Sequence, residues 1–335
     1  KSISLNIGTV RIKELYFNKE DIEGARKVIL DNLKKIFDLG IEIPSKVVGI
    51  GGSIRAVSKI IMEKNNYPLD ILHGYTYNVK NENTLFNKII NARNNDDLKS
   101  IGVKKDRFDT IKEGSFIFKT ILDELNIKEV VSSGVGVREG VYLTDLLRNS
   151  NHKFPENFNV SVRSLLDRFQ IDEKQSAFMG NNAGKIFDIL KPMHNLDNKF
   201  RTLLVVASKL HSIGSTLNFY KSNDNAFDFI LNGLNYDFLH TSRVVVAHTI
   251  KFSKKSLPSK SDILKYQDLL PSLEVMQWMS FMISLNIAIN QDLSRPKVEY
   301  VLNNNTLEIN LSNKSFLIET NIEKLESPEE LKIKI

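Results

Sequence analysis

The sequence has 335 residues and a mass of 38.2 kDa, with 41% hydrophobic and 26% charged residues, so it can bury an ordinary core and is no disordered tail. It holds no cysteine, which excludes disulfide scaffolds, thiolate metal sites and cysteine nucleophiles and permits a reducing compartment. The net charge of +6 is a mild excess spread over both halves; it suits an anionic ligand, but no basic stripe marks it for duplex nucleic acid.

Ile3, Leu5 and Ile7 alternate at the start, predicting a strand pair or bent strand over residues 2–16 around Gly8. A strand that begins at residue 3, with no initiating Met, predicts a chain cut from something longer. A helix follows. Asn18 is its expected N-cap, with Glu20, Asp21 and Glu23 in the first turn. Ile22, Ala25, Ile29, Leu33 and Ile36 mark one face, and Gly40 ends it. Residues 46–50 read as a short strand, then Gly51-Gly52-Ser53 leads into a helix over 54–64. Residues 65–105 are less regular. A long helix is expected over about 106–125, a strand over 129–133, a glycine-spaced turn and a helix over 137–147. Two strand–glycine turn–helix units predict an α/β domain over 1–150 with its glycine turns at one sheet edge.

The polar stretch 149–158 reads as a linker. Residues 160–289 are helical almost throughout, broken near Pro192, Gly214, Gly233, Pro258 and Pro271. The longest apolar run, 275–289, is interrupted by Gln277, Ser280, Ser284 and Asn286. It falls short of the roughly 20 residues that a membrane span needs, so it reads as a buried core helix. Residues 298–319 alternate through Val301, Leu307, Ile309, Leu311, Phe316 and Ile318, with Asn303-Asn304-Asn305 and Asn313-Lys314 as turns, and predict a small β meander.

Three segments carry candidate chemistry. Gly51, Gly52 and Ser53 precede a helix, where backbone N–H groups and the helix dipole suit a phosphate or ribose, and Arg55 adds a cation. The same residues also make a plain tight βα turn without a ligand, and they match neither a Walker loop nor a GxGxxG. Gly134 and Gly136 permit a close backbone approach, with Arg138 and Glu139 at the helix start; helix capping and close packing explain them equally. Arg107, between Asp106 and Asp109, reads as a phosphate ligand or as the partner of either carboxylate. The histidines are His73, His152, His194, His211, His240 and His248. His240 and His248 share a helical face near Asp237, but no metal-ligand spacing of HExxH type occurs, and a structural role is expected for each. No GxSxG elbow is present.

Taken in order, these pieces resemble the exopolyphosphatase/guanosine pentaphosphate phosphohydrolase (Ppx/GppA) family. Ile7-Gly8-Thr9-Val10-Arg11 is similar to its G-x-V-R strand, and Gly51-Gly52-Ser53-Ile54-Arg55-Ala56 to its G-G-T-x-R-A turn. Arg107-Phe108-Asp109, with Ile111 and Gly114, is similar to R-x-D-x-I-x-x-G. Ser133 to Val141, with Arg138-Glu139-Gly140, is similar to S-x-x-x-x-R-E-G-V, and Leu203 to Gly214 resembles the A-x-x-L-H-x-I-G helix.

The resemblance implies a ribonuclease H-like α/β domain of the sugar kinase/Hsp70/actin type over 1–150, the second of two in the family. It implies an all-α HD-like domain over 151–295 and a small C-terminal β segment over 296–335. It further implies a bacterial, cytoplasmic, Mg²⁺-dependent hydrolase of the stringent response, with the Mg²⁺ ligands expected mainly in the family's N-terminal domain, which has no counterpart here. Such an enzyme releases terminal phosphate from polyphosphate or the 5′ γ-phosphate of pppGpp, and a homodimer is expected. The alternative is a non-catalytic nucleotide- or polyphosphate-binding module. The family's phosphate loops D-x-G-S-N-S and D-I-G-G-G-S and its catalytic Glu have no counterpart here, so no catalytic residue is expected and this chain alone is expected to be inactive. The resemblance places Gly51, Gly52, Ser53, Arg55, Arg107, Gly134, Gly136, Arg138 and Glu139 on the phosphate or nucleotide side. In the helical part, Ser212 follows His211, and Asn223, Asn225 and Ser253 stand where family members often carry histidine, so no bound metal is expected there.

Overall fold

The computed structural model describes residues 3–40, 42–156, 158–312 and 315–335. Lys1-Ser2, Asn157 of the expected linker and the expected Asn313-Lys314 turn lie outside the described residues. The chain forms two compact units, Lys1–Phe154 and Pro155–Ile335.

The first unit runs α1 (Thr9–Leu15), α2 (Ile22–Phe37), β1 (Lys46–Gly49), α3 (Gly52–Lys64), β2 (Thr76–Asn78), α4 (Asn83–Ile90), α5 (Asn95–Ser100), α6 (Ile111–Glu124), β3 (Glu129–Ser132) and α7 (Val137–Leu146). The sheet order is β1-β3-β2: β1 pairs with β3 in parallel, Gly49 opposite Ser132, and β2 pairs antiparallel to β3. One sheet face, through Val47 and Val130, packs on α3, α4 and α6 by way of Ile61, Phe86, Ile111 and Leu122. Helix α6 also turns Phe116 toward a second cluster, formed with Ile12, Ala25, Ile29 and Leu33. Apolar residues on two of its faces let α6 tie both clusters together.

Several expectations need correction. Residues 3–16 contain no strand among the described residues; Thr9–Leu15 is helical. Three alternating residues are a weak pattern, and a strand needs a hydrogen-bonding neighbour, whereas a seven-residue helix suffices to bury Ile12 completely. The N-cap of α2 is Asp21, which accepts from the Gly24 N–H at 2.9 Å, not Asn18, which lies in a preceding 3₁₀ turn. Helix α6 starts at Ile111 after a separate 3₁₀ turn at Lys105–Arg107, so Asp106 and Asp109 do not form its first turn. The irregular 65–105 region holds β2, α4 and α5.

The second unit runs α8 (Val160–Arg168), α9 (Glu173–His194), α10 (Asn198–Leu210), α11 (Ser222–Gly233), α12 (His240–Lys251), α13 (Lys260–Ile263), α14 (Leu273–Ile289), β4 (Val298–Asn303), β5 (Thr306–Leu311), α15 (Phe316–Glu323) and β6 (Lys332–Lys334). Helix α14 is the expected core helix, with Trp278 and Phe281 buried. Each of its polar interruptions has a partner. Gln277 donates to the Pro258 carbonyl at 3.0 Å, Ser280 to that of Phe252, Ser284 to that of Ser280, and Asn286 to that of Met179 at 2.8 Å. Asn182 on α9 donates to Asn286 at 2.9 Å and accepts from the Tyr300 hydroxyl of β4 at 3.0 Å. Buried polar atoms satisfied in this way favour one packing of α9, α14 and β4 over alternatives.

No helix among the described residues is long and apolar enough to cross a membrane. Pro192 lies inside the last turn of α9 and does not break it, since only one backbone hydrogen bond is lost there. The expected meander is a β4–β5 hairpin whose third strand is β6, parallel to β5. Phe316 and Ile318 belong to α15, where Ser315 caps the Ile318 N–H at 3.3 Å and Ile318 and Ile322 share the buried face.

Candidate functional site

Because β1 and β3 are adjacent and parallel, the two glycine turns that follow them lie side by side; the Ser133 N–H donates to the Gly49 carbonyl at 2.9 Å. Gly51 sits at φ +126° and ψ 166°, a conformation reserved in practice for glycine, and it turns the chain into α3. No side chain caps α3. The first N–H groups of a helix have no internal partner, so those of Gly52 and Ser53 point out of its end with the positive end of the dipole. The Arg107 guanidinium lies on this end: a Cβ at Gly52 would come within 2.5 Å of it. Arg107 is half exposed and pairs with Asp106 at 3.3 Å. A cleft of about 300 Å³ opens here, lined among others by Gly52, Arg55, Lys59, Lys104, Asp106 and Arg107. Ser53 packs against α6, where a Cβ at Gly114 would come within 2.3 Å of its hydroxyl.

The second turn is held differently. Arg55 Nε donates to the Ser133 carbonyl and its guanidinium to the Val135 carbonyl, both at 2.8 Å. Gly134 N–H donates to His73 Nδ1 at 3.0 Å. Gly136 N–H donates to the Glu139 carboxylate at 2.7 Å. That bond, first among the causes, holds the Glu139 carboxyl below its ordinary 4.5, with smaller help from Arg138 and Arg55. The N–H donors of Gly134 and Gly136 are therefore engaged by the protein's own side chains. Gly134 also faces the His73 ring stem, 2.8 Å from where a Cβ would sit, so packing accounts for this glycine. Arg138 is exposed beside the turn.

Of the residues read from the sequence, Gly52, Arg55 and Arg107 line the cleft, Gly51 and Ser53 flank Gly52 in the first turn, and Gly134, Gly136, Arg138 and Glu139 belong to the neighbouring turn. Lys59 and Lys104 were missed, and their spacing from the glycine turns carries no motif. His73, expected from the sequence to be structural, meets a partner 61 positions away.

In the helical unit, the positions where family members often carry histidine are tied by neutral hydrogen bonds. Asn223 donates to the Ser253 carbonyl and hydroxyl at 3.1 Å, and Asn225 to the Gly214 carbonyl at 3.2 Å. His211 Nδ1 bonds the Ser208 carbonyl at 2.8 Å, and burial lowers its pKa. His248 bonds the Val244 carbonyl among Phe227, Phe252 and Tyr266, and burial takes it down to about 4. Asp237 accepts from Asn159 at 3.4 Å. Among the described residues, no group of three or more His, Asp or Glu side chains is arranged to hold a metal.

Fold and site define a class: an α/β unit with paired glycine turns at a cationic cleft, joined to a helical unit. The model of the Ppx/GppA phosphatase family matches residues 1–149, and that of Ppx/GppA phosphatase domain III matches residues 159–330. The chain belongs to the Ppx/GppA phosphatase family. It is similar to a guanosine-5′-triphosphate,3′-diphosphate pyrophosphatase of Photobacterium profundum, at 22% identity over 266 residues covering 76% of this chain and 51% of the relative. A protein of the same name from Vibrio campbellii is 24% identical over 235 residues, covering 67% and 44%. The chain thus spans about half the length of the curated relatives it matches.

Proposed function

We propose that this chain supplies the phosphate-binding side of a phosphohydrolase that acts on a guanosine nucleotide carrying a 5′-triphosphate and a 3′-diphosphate. The observation that carries the reading is the uncapped N-terminus of α3 at Gly51–Ser53 with the Arg107 guanidinium on it, in a cleft also lined by Arg55, Lys59 and Lys104. Backbone donors, a helix dipole and four cations together favour a phosphate chain over a sugar or an apolar ligand. The names of the relatives favour the nucleotide; inorganic polyphosphate shares the same chemistry and is the competing ligand. The family resemblance adds a ribonuclease H-like reading of the first unit and an HD-like reading of the second.

Binding rather than turnover is proposed for this chain alone. The carboxylates of the cleft are Asp106, already paired with Arg107, and Glu63, and neither is placed as an evident base for water. The Mg²⁺ ion that the family implies does not fit these residues, because four cations outnumber two carboxylates, one of them already paired with Arg107, and Mg²⁺ wants free oxygen donors. No step is therefore routed through it.

The test is calorimetric titration of the chain with pppGpp, GTP and tripolyphosphate, together with phosphate release. Binding of pppGpp with release far below that of a longer family member supports the reading; release at a comparable rate, or no binding of any of the three, overturns it. For the helical unit a structural role without metal is proposed. Stoichiometric Zn, Mn or Fe in the purified protein, lost on His211→Ala, would overturn that.

A further inference from the structure

His73 lies outside every motif, yet it touches the centre of the second turn. Its backbone is anchored locally: Gly74, at φ +90°, donates its N–H to the Ser132 carbonyl at 2.9 Å, and the Ser132 N–H returns to the Tyr75 carbonyl at 2.7 Å. This places His73 beside Gly134, its own Cβ 2.8 Å from where a Cβ on Gly134 would sit. A backbone N–H only donates, so Nδ1 accepts, and the neutral ring carries its proton on Nε2.

The contact passes on to the cleft. The Ser133 and Val135 carbonyls flank Gly134, and they are the two acceptors that hold the Arg55 guanidinium. Arg55 lines the cleft and rises from the first turn of α3, directly after the Gly51–Ser53 turn. A shift of the peptide at Gly134 tilts both carbonyls, because neighbouring peptide planes share their Cα atoms. We propose that His73 is a positioning residue for Arg55: by accepting from Gly134 it sets the second turn, whose carbonyls hold the guanidinium at the cleft. The assignment rests on the phosphate reading of the cleft, but its mechanical part is testable without a ligand.

Three variants separate the possibilities. In His73→Asn the side-chain oxygen replaces Nδ1 at the same distance from the backbone. In His73→Gln the acceptor lies one bond further out, and in His73→Ala there is none. The probes are the ¹⁵N–¹H signals of the Gly134 amide and of Arg55 Nε, followed by titration with tripolyphosphate. Both signals should move in the Ala and Gln variants and stay near wild type in the Asn variant. Affinity should fall about three- to tenfold in the first two and recover in the third, the usual range for one neutral hydrogen bond. An Arg55 Nε signal that ignores His73→Gln while His73→Asn also leaves it in place would overturn the proposal. The Asn–Gln pair decides the matter if His73→Ala fails to fold. Wild-type protein that does not bind tripolyphosphate sinks the phosphate reading, while the two signals still decide whether His73 positions Arg55.

Discussion

The two glycine turns occupy equivalent places, each after one of two adjacent parallel strands and each at a helix N-terminus, yet their donors are spent differently. At Gly51–Ser53 no side chain caps the helix, and the nearest functional group is a half-exposed arginine. At Gly134–Gly136 the N–H groups go to His73 and Glu139, and the carbonyls to Arg55. Glycine spacing alone therefore does not define a phosphate cradle. The first turn leaves its donors facing outward; the second is a fixed wall that holds one of the cleft's cations in place.

The contrast breaks most sharply at the two arginines. Arg55→Ala strips the donor from the Ser133 carbonyl and one of two donors from the Val135 carbonyl, which also accepts from the Ser133 hydroxyl, and should destabilise the first unit by about 1.5–3 kcal/mol, read by chemical denaturation. Gly51→Ala forces a side chain into a glycine-only conformation and should cost about 1–3 kcal/mol in the same measurement. Arg107→Ala touches no fold-holding carbonyl. It should leave the denaturation midpoint nearly unmoved and weaken pppGpp binding about tenfold, the loss of one charge-assisted contact. If Arg107→Ala destabilised the unit as much as Arg55→Ala, or Arg55→Ala only weakened binding, the division into a ligand-facing turn and a fixed turn would fail.

What the sequence disclosed follows the range of the interactions. Periodicity located α2 within a few residues, because burial of Ala25, Ile29 and Leu33 depends on local spacing, and the apolar run 275–289 located α14, which is buried nearly all round. Boundaries set by side-chain hydrogen bonds were less legible: Asp21 and Asn18 are equally good caps on paper, and only the structure shows Asp21 bonded to Gly24. Residues 3–16 were misread because strand formation depends on a partner strand that no local pattern reveals. At the site, the pairing of the two turns was legible from two strand–turn–helix repeats. The roles within it were not. Arg55 and Arg107 look alike as cations, and they are told apart by partners 78 and 80 positions away for Arg55 and by a close approach to Gly52 for Arg107. His73 carries no motif at all, and the backbone N–H that it accepts from lies 61 positions away.

The smallest effect concerns the charge that caps the second turn. The Glu139 carboxylate accepts from Gly136, which lowers its pKa from the ordinary 4.5. A depressed folded-state pKa contributes stability that is fully present above 4.5, where the unfolded carboxyl is also ionised, and that is lost as the pH falls through the lower folded value. Wild-type protein should therefore lose part of its stability below pH 4.5 for a reason local to this turn. In Glu139→Gln the amide oxygen still accepts from Gly136 but carries no titrating charge. Denaturation midpoints across the acid range should show a shallower slope for Glu139→Gln than for wild type, with the curves converging at the acid end, where wild-type Glu139 is itself neutral. Parallel curves would mean that the ionised carboxylate adds nothing beyond the neutral cap.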